Sequence, residues 1–242
     1  MQDPSGWPHN PEARITVLRP FLRMTAGVLL LDSILGTLLF LPAGRLDWIE
    51  AWLFLAACGA VWLAYGVRTF LHDPDQLRER RRQGANTKDW DKVILGLYSV
   101  LLVILFPVCA WDAGRSQASP LPLWWKGFGC FGMALAGGLI LRVMAANTFA
   151  SRTARIQEDR GQAVVSGGPY CFVRHPMYLG IIVYFVCVPL ALGSKWGLLP
   201  AAAICALFVV RTGLEDRMLT GELPGYAEYT RRTRYRLLPG IW

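Results

Sequence analysis

Six apolar stretches carrying one formal charge between them dominate this chain: Met24–Pro42, Ala51–Val67, Val93–Trp111, Gly127–Leu141, Tyr178–Gly193 and Trp196–Val210. That charge is Asp32. Crossing ~30 Å of hydrocarbon takes roughly 20 helical residues, and the first three stretches come close to that length unaided. The fourth becomes long enough if it begins near Leu121, with Lys126 snorkelling and Trp124 and Trp125 at the headgroup level. The last two are short, joined by Gly193-Ser194-Lys195 and interrupted by Pro189 and Pro200. They read either as a full hairpin in thin membrane or as a re-entrant pair buried in protein. With 54% apolar and 17% charged residues, the chain is far from a soluble domain, which averages about a quarter charged. The predicted fold class is all-α: an integral membrane helical bundle of about six apolar segments, with no Rossmann domain.

A net charge of +8 would suit a nucleic-acid binder if the basic residues shared one phosphate-facing surface. Sorted by segment end, 19 of the 25 Lys and Arg fall on one side: Arg14 to Arg23, Arg78 to Lys92, Arg152 to Arg174 and Arg211 to Arg236. That asymmetry is a topology signal, and it predicts both termini on the cytoplasmic side of the membrane, with no nucleic-acid partner. Residues 1–146 then form N-terminal membrane helices with a cytoplasmic basic loop at 73–92. Residues 147–242 form a second half of loop, helical hairpin and cytoplasmic tail. Met1–Leu22 is polar and does not read as a secretory signal. The six cysteines form neither a zinc spacing nor a disulfide framework, and no metal is expected.

Gly127-Phe128-Gly129-Cys130-Phe131-Gly132 spells G-x-G-x-x-G, but no strand precedes it and no acidic residue follows about 20 positions on. Glycines in a membrane segment serve close helix approach instead. Asp32, a carboxylate inside a spanning segment, is expected either to make a hydrogen-bonded helix contact or to line a substrate path. Chemical groups are densest from Asn147 to Tyr178, where Gly167-Gly168-Pro169-Tyr170 signals a turn and Arg174-His175-Pro176-Met177-Tyr178 sets a rigid X-Pro step at the mouth of the hairpin. Arg211 and Glu215 stand four apart on one helix face. They make either a surface ion pair or a divided site, with Glu215 toward a ligand ammonium and Arg211 toward an anionic group or the reacting centre. The aromatic, basic tail containing Tyr226, Tyr229 and Tyr235 is suited to lying at the interface and closing a cavity from the cytoplasm.

Gly168-Pro169-Tyr170-x-x-x-Arg174-His175-Pro176-x-Tyr178-x-Gly180, Arg211-x-x-x-Glu215-Asp216-x-x-Leu219 and Gly225-Tyr226-x-x-Tyr229 together resemble the catalytic half of the isoprenylcysteine carboxyl methyltransferase family. Asp75-Gln76-Leu77-x-Glu79-Arg80 and Lys88-Asp89-Trp90-Asp91 resemble its bacterial branch, which implies a bacterial inner (plasma) membrane. The resemblance implies an enzyme that binds S-adenosyl-L-methionine without a Rossmann domain. Carried over by position, it implies cofactor contacts at Gln157, Gln162, Ala163, Val164, Val165, Tyr170, His175, Pro176, Met177, Tyr178 and Glu215. It also implies a catalytic, substrate-side role for Arg211, and Asp32 is a second substrate-binding candidate.

Methyl transfer is an in-line displacement at a sulfonium, so positioning two reactants in a dry site is the protein's main task. The expected acceptor is a small apolar or lipid-like molecule entering from the bilayer: a prenylcysteine-like carboxylate, a thiol or an amine. The competing readings are an NADPH-dependent sterol-type reductase and a non-enzymatic membrane transporter or scaffold.

Overall fold

The computed structural model describes residues 11–72, 87–116 and 121–242, without the side chains of 11–21, 68–72 and 159. Its helices are α1 (Pro11–Ala43), α2 (Ile49–His72), α3 (Asp89–Cys109) continued by a π-helical segment (Ala110–Ser116), α4 (Leu123–Ala146), α5 (Pro176–Leu192), α6 (Leu198–Glu222) and α7 (Tyr226–Arg232). No strand occurs among the described residues, so the chain is an all-α bundle without a Rossmann sheet. Five stretches are long and apolar enough to cross a membrane: Leu22–Ala43, Ile49–Val67, Asp89–Ser116, Leu123–Ala146 and Leu198–Glu222. Much of the basic loop at 73–92, including Asp75 to Arg80, lies outside the described residues.

The bundle is apolar on both its faces, as lipid solvation requires. Leu39, Leu105, Val188, Leu192 and Ile204 are buried between helices, while Leu29, Trp52, Val100, Phe131 and Val210 point outward. Helices then associate by close packing rather than by escape from water. Glycines permit it: a Cβ on Gly129 would stand 2.4 Å from the backbone nitrogen of Ala191, and one on Gly132 would stand 2.4 Å from Cys187 Sγ. Gly127, the first glycine of the string, meets nothing within 4 Å.

Lys126 Nζ donates to Glu50 Oε1 at 2.5 Å, tying α4 to the start of α2. Trp124 and Trp125 stack beside it, with ring centroids 4.4 Å apart. The hairpin α5–α6 is uneven. α5 has 17 residues and α6 has 25, about 25 Å against about 37 Å at 1.5 Å per residue. The short arm ends inside the protein, where Gly193 turns the chain at φ +82° and Ser194 Oγ donates to the buried Asp112 Oδ2 at 2.7 Å. The Trp196 amide donates to the same oxygen at 3.0 Å, so the π-helical segment pins the turn. The long arm carries α6 past its apolar block, presenting Arg211, Glu215 and Asp216 at the opposite end of the hairpin.

Candidate functional site

Asp216 organises that end. Arg174 donates to it through both Nε (2.8 Å) and Nη2 (2.9 Å), a bidentate pairing. Arg236 Nε donates to Oδ2 at 2.7 Å, and the Tyr226 hydroxyl donates to Oδ1 at 3.1 Å. His175 Nε2 lies 3.2 Å from Oδ1, and because a carboxylate oxygen only accepts, this bond sets the ring proton on Nε2. Burial alone would lower the Arg174 pKa, but the Asp216 hydrogen bonds hold it above the ordinary guanidinium value. The C-terminal strand-like tail pairs with the same motif: the Arg174 and His175 amides donate to Tyr235 O and Arg236 O, each at 2.9 Å. The Arg174-His175-Pro176 step is therefore clamped from α6 on one side and from the tail on the other. Pro176, with its fixed φ, starts α5 directly after it.

The loop between α4 and α5 closes the other wall. Gln157 is 1% exposed; its Nε2 donates to Phe149 O at 2.6 Å, and its backbone amide donates to Gln162 Oε1 at 2.7 Å. Gly168 turns the chain with φ +61°, which places Tyr170 so that Asn147 Nδ2 donates to its hydroxyl at 2.8 Å. The Tyr229 hydroxyl returns from α7 to Tyr170 O at 2.7 Å. Burial pushes the phenols of Tyr170 and Tyr229 each up to about 12, and that of Tyr226 well above its ordinary value.

These elements line a cavity, and the sequence-derived residues fall unevenly around it. Gln157, Gln162, Ala163, Val164, Val165, Tyr170, His175, Met177, Tyr178 and Glu215 line it. Pro176 does not: it is fully buried at the first turn of α5 and acts on the site through the backbone. Asp32 and Arg211 do not line it either. Asp32 packs on α2, its Oδ2 2.5 Å from where a Gly59 Cβ would lie, and its Oδ1 has no hydrogen-bond partner.

Arg211 and Glu215 share a helix face but form no ion pair with each other among the described residues. Glu215 accepts a hydrogen bond from the Tyr178 hydroxyl. Arg211 turns to α3, where Nε and Nη2 donate to Asp91 Oδ1 (2.8 Å) and Oδ2 (3.2 Å), and its guanidinium carbon stands 5.2 Å from the Tyr178 ring centroid. The reason is reach and burial: Asp91 is wholly buried and Arg211 nearly so, and a buried guanidinium needs a buried counter-ion. Among the described residues Glu215 is the one carboxylate on the cavity lining.

Sequence reasoning quoted Asp91 and Asp216 within motifs but gave them no role. Asp216 carried a readable signal, being adjacent to Glu215 yet 100° around the helix and so aimed at different partners. Asp91 carried only a weak one, as an acidic residue in the first turn of a membrane helix.

Fold and site together define a helical membrane protein with a cavity of mixed polar and apolar lining at one end of its bundle. Residues 125–222 match the family model described as phospholipid methyltransferase. The matched stretch takes in the Gly168–Gly180 and Arg211–Leu219 motifs, so the resemblance read there is to a methyltransferase family by both routes. The chain is also 33% identical over 141 residues to the cobalt-zinc-cadmium resistance protein CzcN of Cupriavidus metallidurans, a match covering 55% of this chain and 56% of that protein. The chain thus spans about half the length of that curated relative.

Proposed function

We propose that this chain is an S-adenosyl-L-methionine-dependent methyltransferase of the isoprenylcysteine carboxyl methyltransferase type. In this reading the cofactor enters the cavity from the cytoplasmic side and a small apolar or lipid-like acceptor arrives from the bilayer. The observation that carries it is Glu215, the lone lining carboxylate among the described residues, set against Tyr178 where α6 leaves its apolar stretch.

The donor set fits this cofactor. Its sulfonium and ammonium are cations, which favour an anionic partner in a partly desolvated site. Glu215 supplies one, while Arg174 is already neutralised by Asp216. The backbone around 162–165 and the flat faces of Tyr226 and Tyr229 offer hydrogen bonds and stacking area for a nucleoside. The bound cofactor would supply an electrophilic methyl group. The chain's own residues then orient and exclude water: Glu215 holds positive charge, Tyr178 fixes the Glu215 carboxylate, and His175 is locked by Asp216 with Nδ1 as its remaining ring nitrogen. Nothing in this arrangement requires a strong acid or base, as expected for displacement at an activated carbon. A carboxylate, a thiol and an amine all meet its demands as acceptor.

Thermal-shift measurement on the detergent-purified chain tests the reading. S-adenosylhomocysteine should raise the unfolding temperature and NADPH should not, since a ligand that binds only the native state stabilises it by mass action. A shift with NADPH alone, or with neither, overturns the proposal.

A further inference from the structure

The most completely buried ion pair described in the bundle joins α3 to α6 beside the cavity, and its purpose is not evident from helix packing alone. Asp91 is wholly buried and Arg211 nearly so. The carboxylate takes Arg211 Nε and Nη2, and it also accepts the Ala154 amide at 2.7 Å; Arg211 Nη2 in turn donates to Arg152 O at 2.8 Å. The Lys88 amide donates to Ala154 O at 3.3 Å. The pair therefore grips the backbone at 152–154, part of the cavity wall, from both α3 and α6. Arg211 sits against one face of Tyr178, whose hydroxyl binds Glu215.

A buried ion pair of this kind seldom adds stability over apolar residues of equal volume, so its retention asks for another reason. Here the charges supply one. An unpaired guanidinium one ring away from Glu215 would cancel that carboxylate's field. With Asp91 in place the pair is neutral, so Arg211 adds no positive charge to that of Arg155 and Arg174 on the lining that already opposes Glu215.

We infer that Asp91 is a positioning residue that neutralises Arg211, so that the cavity favours the sulfonium of the cofactor over the neutral thioether left after transfer. The inference rests on the methyl-transfer reading and deepens it: the same pair that holds the wall also assists exchange of product for fresh cofactor.

The test compares affinities of S-adenosylmethionine and S-adenosylhomocysteine by calorimetry on the full chain at pH 8.5. Asp91→Asn keeps an acceptor for the Ala154 amide but unmasks Arg211, and should shift the affinity ratio toward the thioether by at least about fivefold, the effect of one added charge at short range in a medium of intermediate dielectric. Arg211→Gln, which leaves the anion unmasked, should shift it the other way. The double variant should return to within about twofold of the parent ratio, because the net charge is restored. A purely structural role weakens both ligands together, so an unchanged ratio in Asp91→Asn overturns the inference, as does a double variant that keeps the single variant's shift. Where Asp91→Asn does not fold, Arg211→Gln decides alone: an unchanged ratio there overturns it. Failure of the parent chain to bind either ligand refutes the methyl-transfer reading instead.

Discussion

Glu215 and Asp216 are neighbours in sequence and opposites in circumstance. Asp216 is surrounded by Arg174, Arg236, His175 and Tyr226, so its charge is spent on holding the site together. Glu215 faces the cavity with one phenol for company. Glu215→Gln keeps an oxygen for the Tyr178 hydroxyl while removing the charge, and it should weaken S-adenosylhomocysteine binding at least about tenfold, the loss of roughly 1.4 kcal/mol. Calorimetry reads this directly, and unchanged affinity refutes the role given to Glu215. The phenols behave differently. Tyr170 and Tyr229 are held protonated up to about 12, above the ordinary value of about 10. Their contribution to stability is complete below that ordinary value and is lost as pH climbs through the folded one. Unfolding temperature in detergent should therefore decline between about pH 10 and 12, and Tyr170→Phe should flatten part of that decline.

At the scale of elements, the hairpin depends on how closely α4 can approach α5. Gly129 and Gly132 are required where α5 backbone and Cys187 arrive, whereas Gly127 faces open space. Gly129→Ala should destabilise the chain by about 1–3 kcal/mol, as overpacking against a backbone does. Gly127→Ala should be neutral or slightly stabilising, because alanine is the better helix former. Chemical denaturation of both variants in the same detergent makes the comparison, and equal losses would contradict the packing argument. Elements were the most legible level of this sequence. All six apolar blocks are helical over most of their length, since apolar runs in lipid leave the backbone few alternatives. Ten residues of the lining, from Gln157 to Glu215, were named by position through the family resemblance, whereas others such as Phe149, Met218 and Leu223 were not. What the sequence could not reveal is partner choice. Arg211 and Glu215 at four apart suggested a mutual relation, but the counter-ion of Arg211 is Asp91, 120 positions away, and only folding brings α3 beside α6. Lys126 is similar, since its partner Glu50 is 76 positions away.

Over the whole molecule, Arg174 and Arg236, two of the basic residues that the sequence assigns to one side of the membrane, both serve Asp216 and so build the site. The tail completes it. Residues 234–242 supply Arg234 O to Arg174 Nη1 at 2.7 Å, Tyr235 O and Arg236 O to the Arg174 and His175 amides, and the Arg236 guanidinium to Asp216. The tail is folded on itself, with the Arg236 amide donating to Trp242 O at 2.8 Å and the Trp242 ring 4.9 Å from the Arg236 guanidinium carbon. Deleting 234–242 would leave two amides of the motif without acceptors and Asp216 with one cation fewer. An unmet buried polar group costs about 1–3 kcal/mol, and the loss falls on the step that fixes His175 and Tyr178. The tail's contacts on α6, Arg236 on Asp216 and Trp242 beside Gly213, lie beyond the apolar block of that helix, so the shortened chain should still insert and elute as the parent does. It should lose S-adenosylhomocysteine binding by about tenfold or more for every 1.4 kcal/mol withdrawn from the bound geometry. Arg236→Gln, which keeps the backbone acceptors and removes only the guanidinium, should lose less. Equal affinity in the parent, the point variant and the truncation would show that the tail merely covers the site.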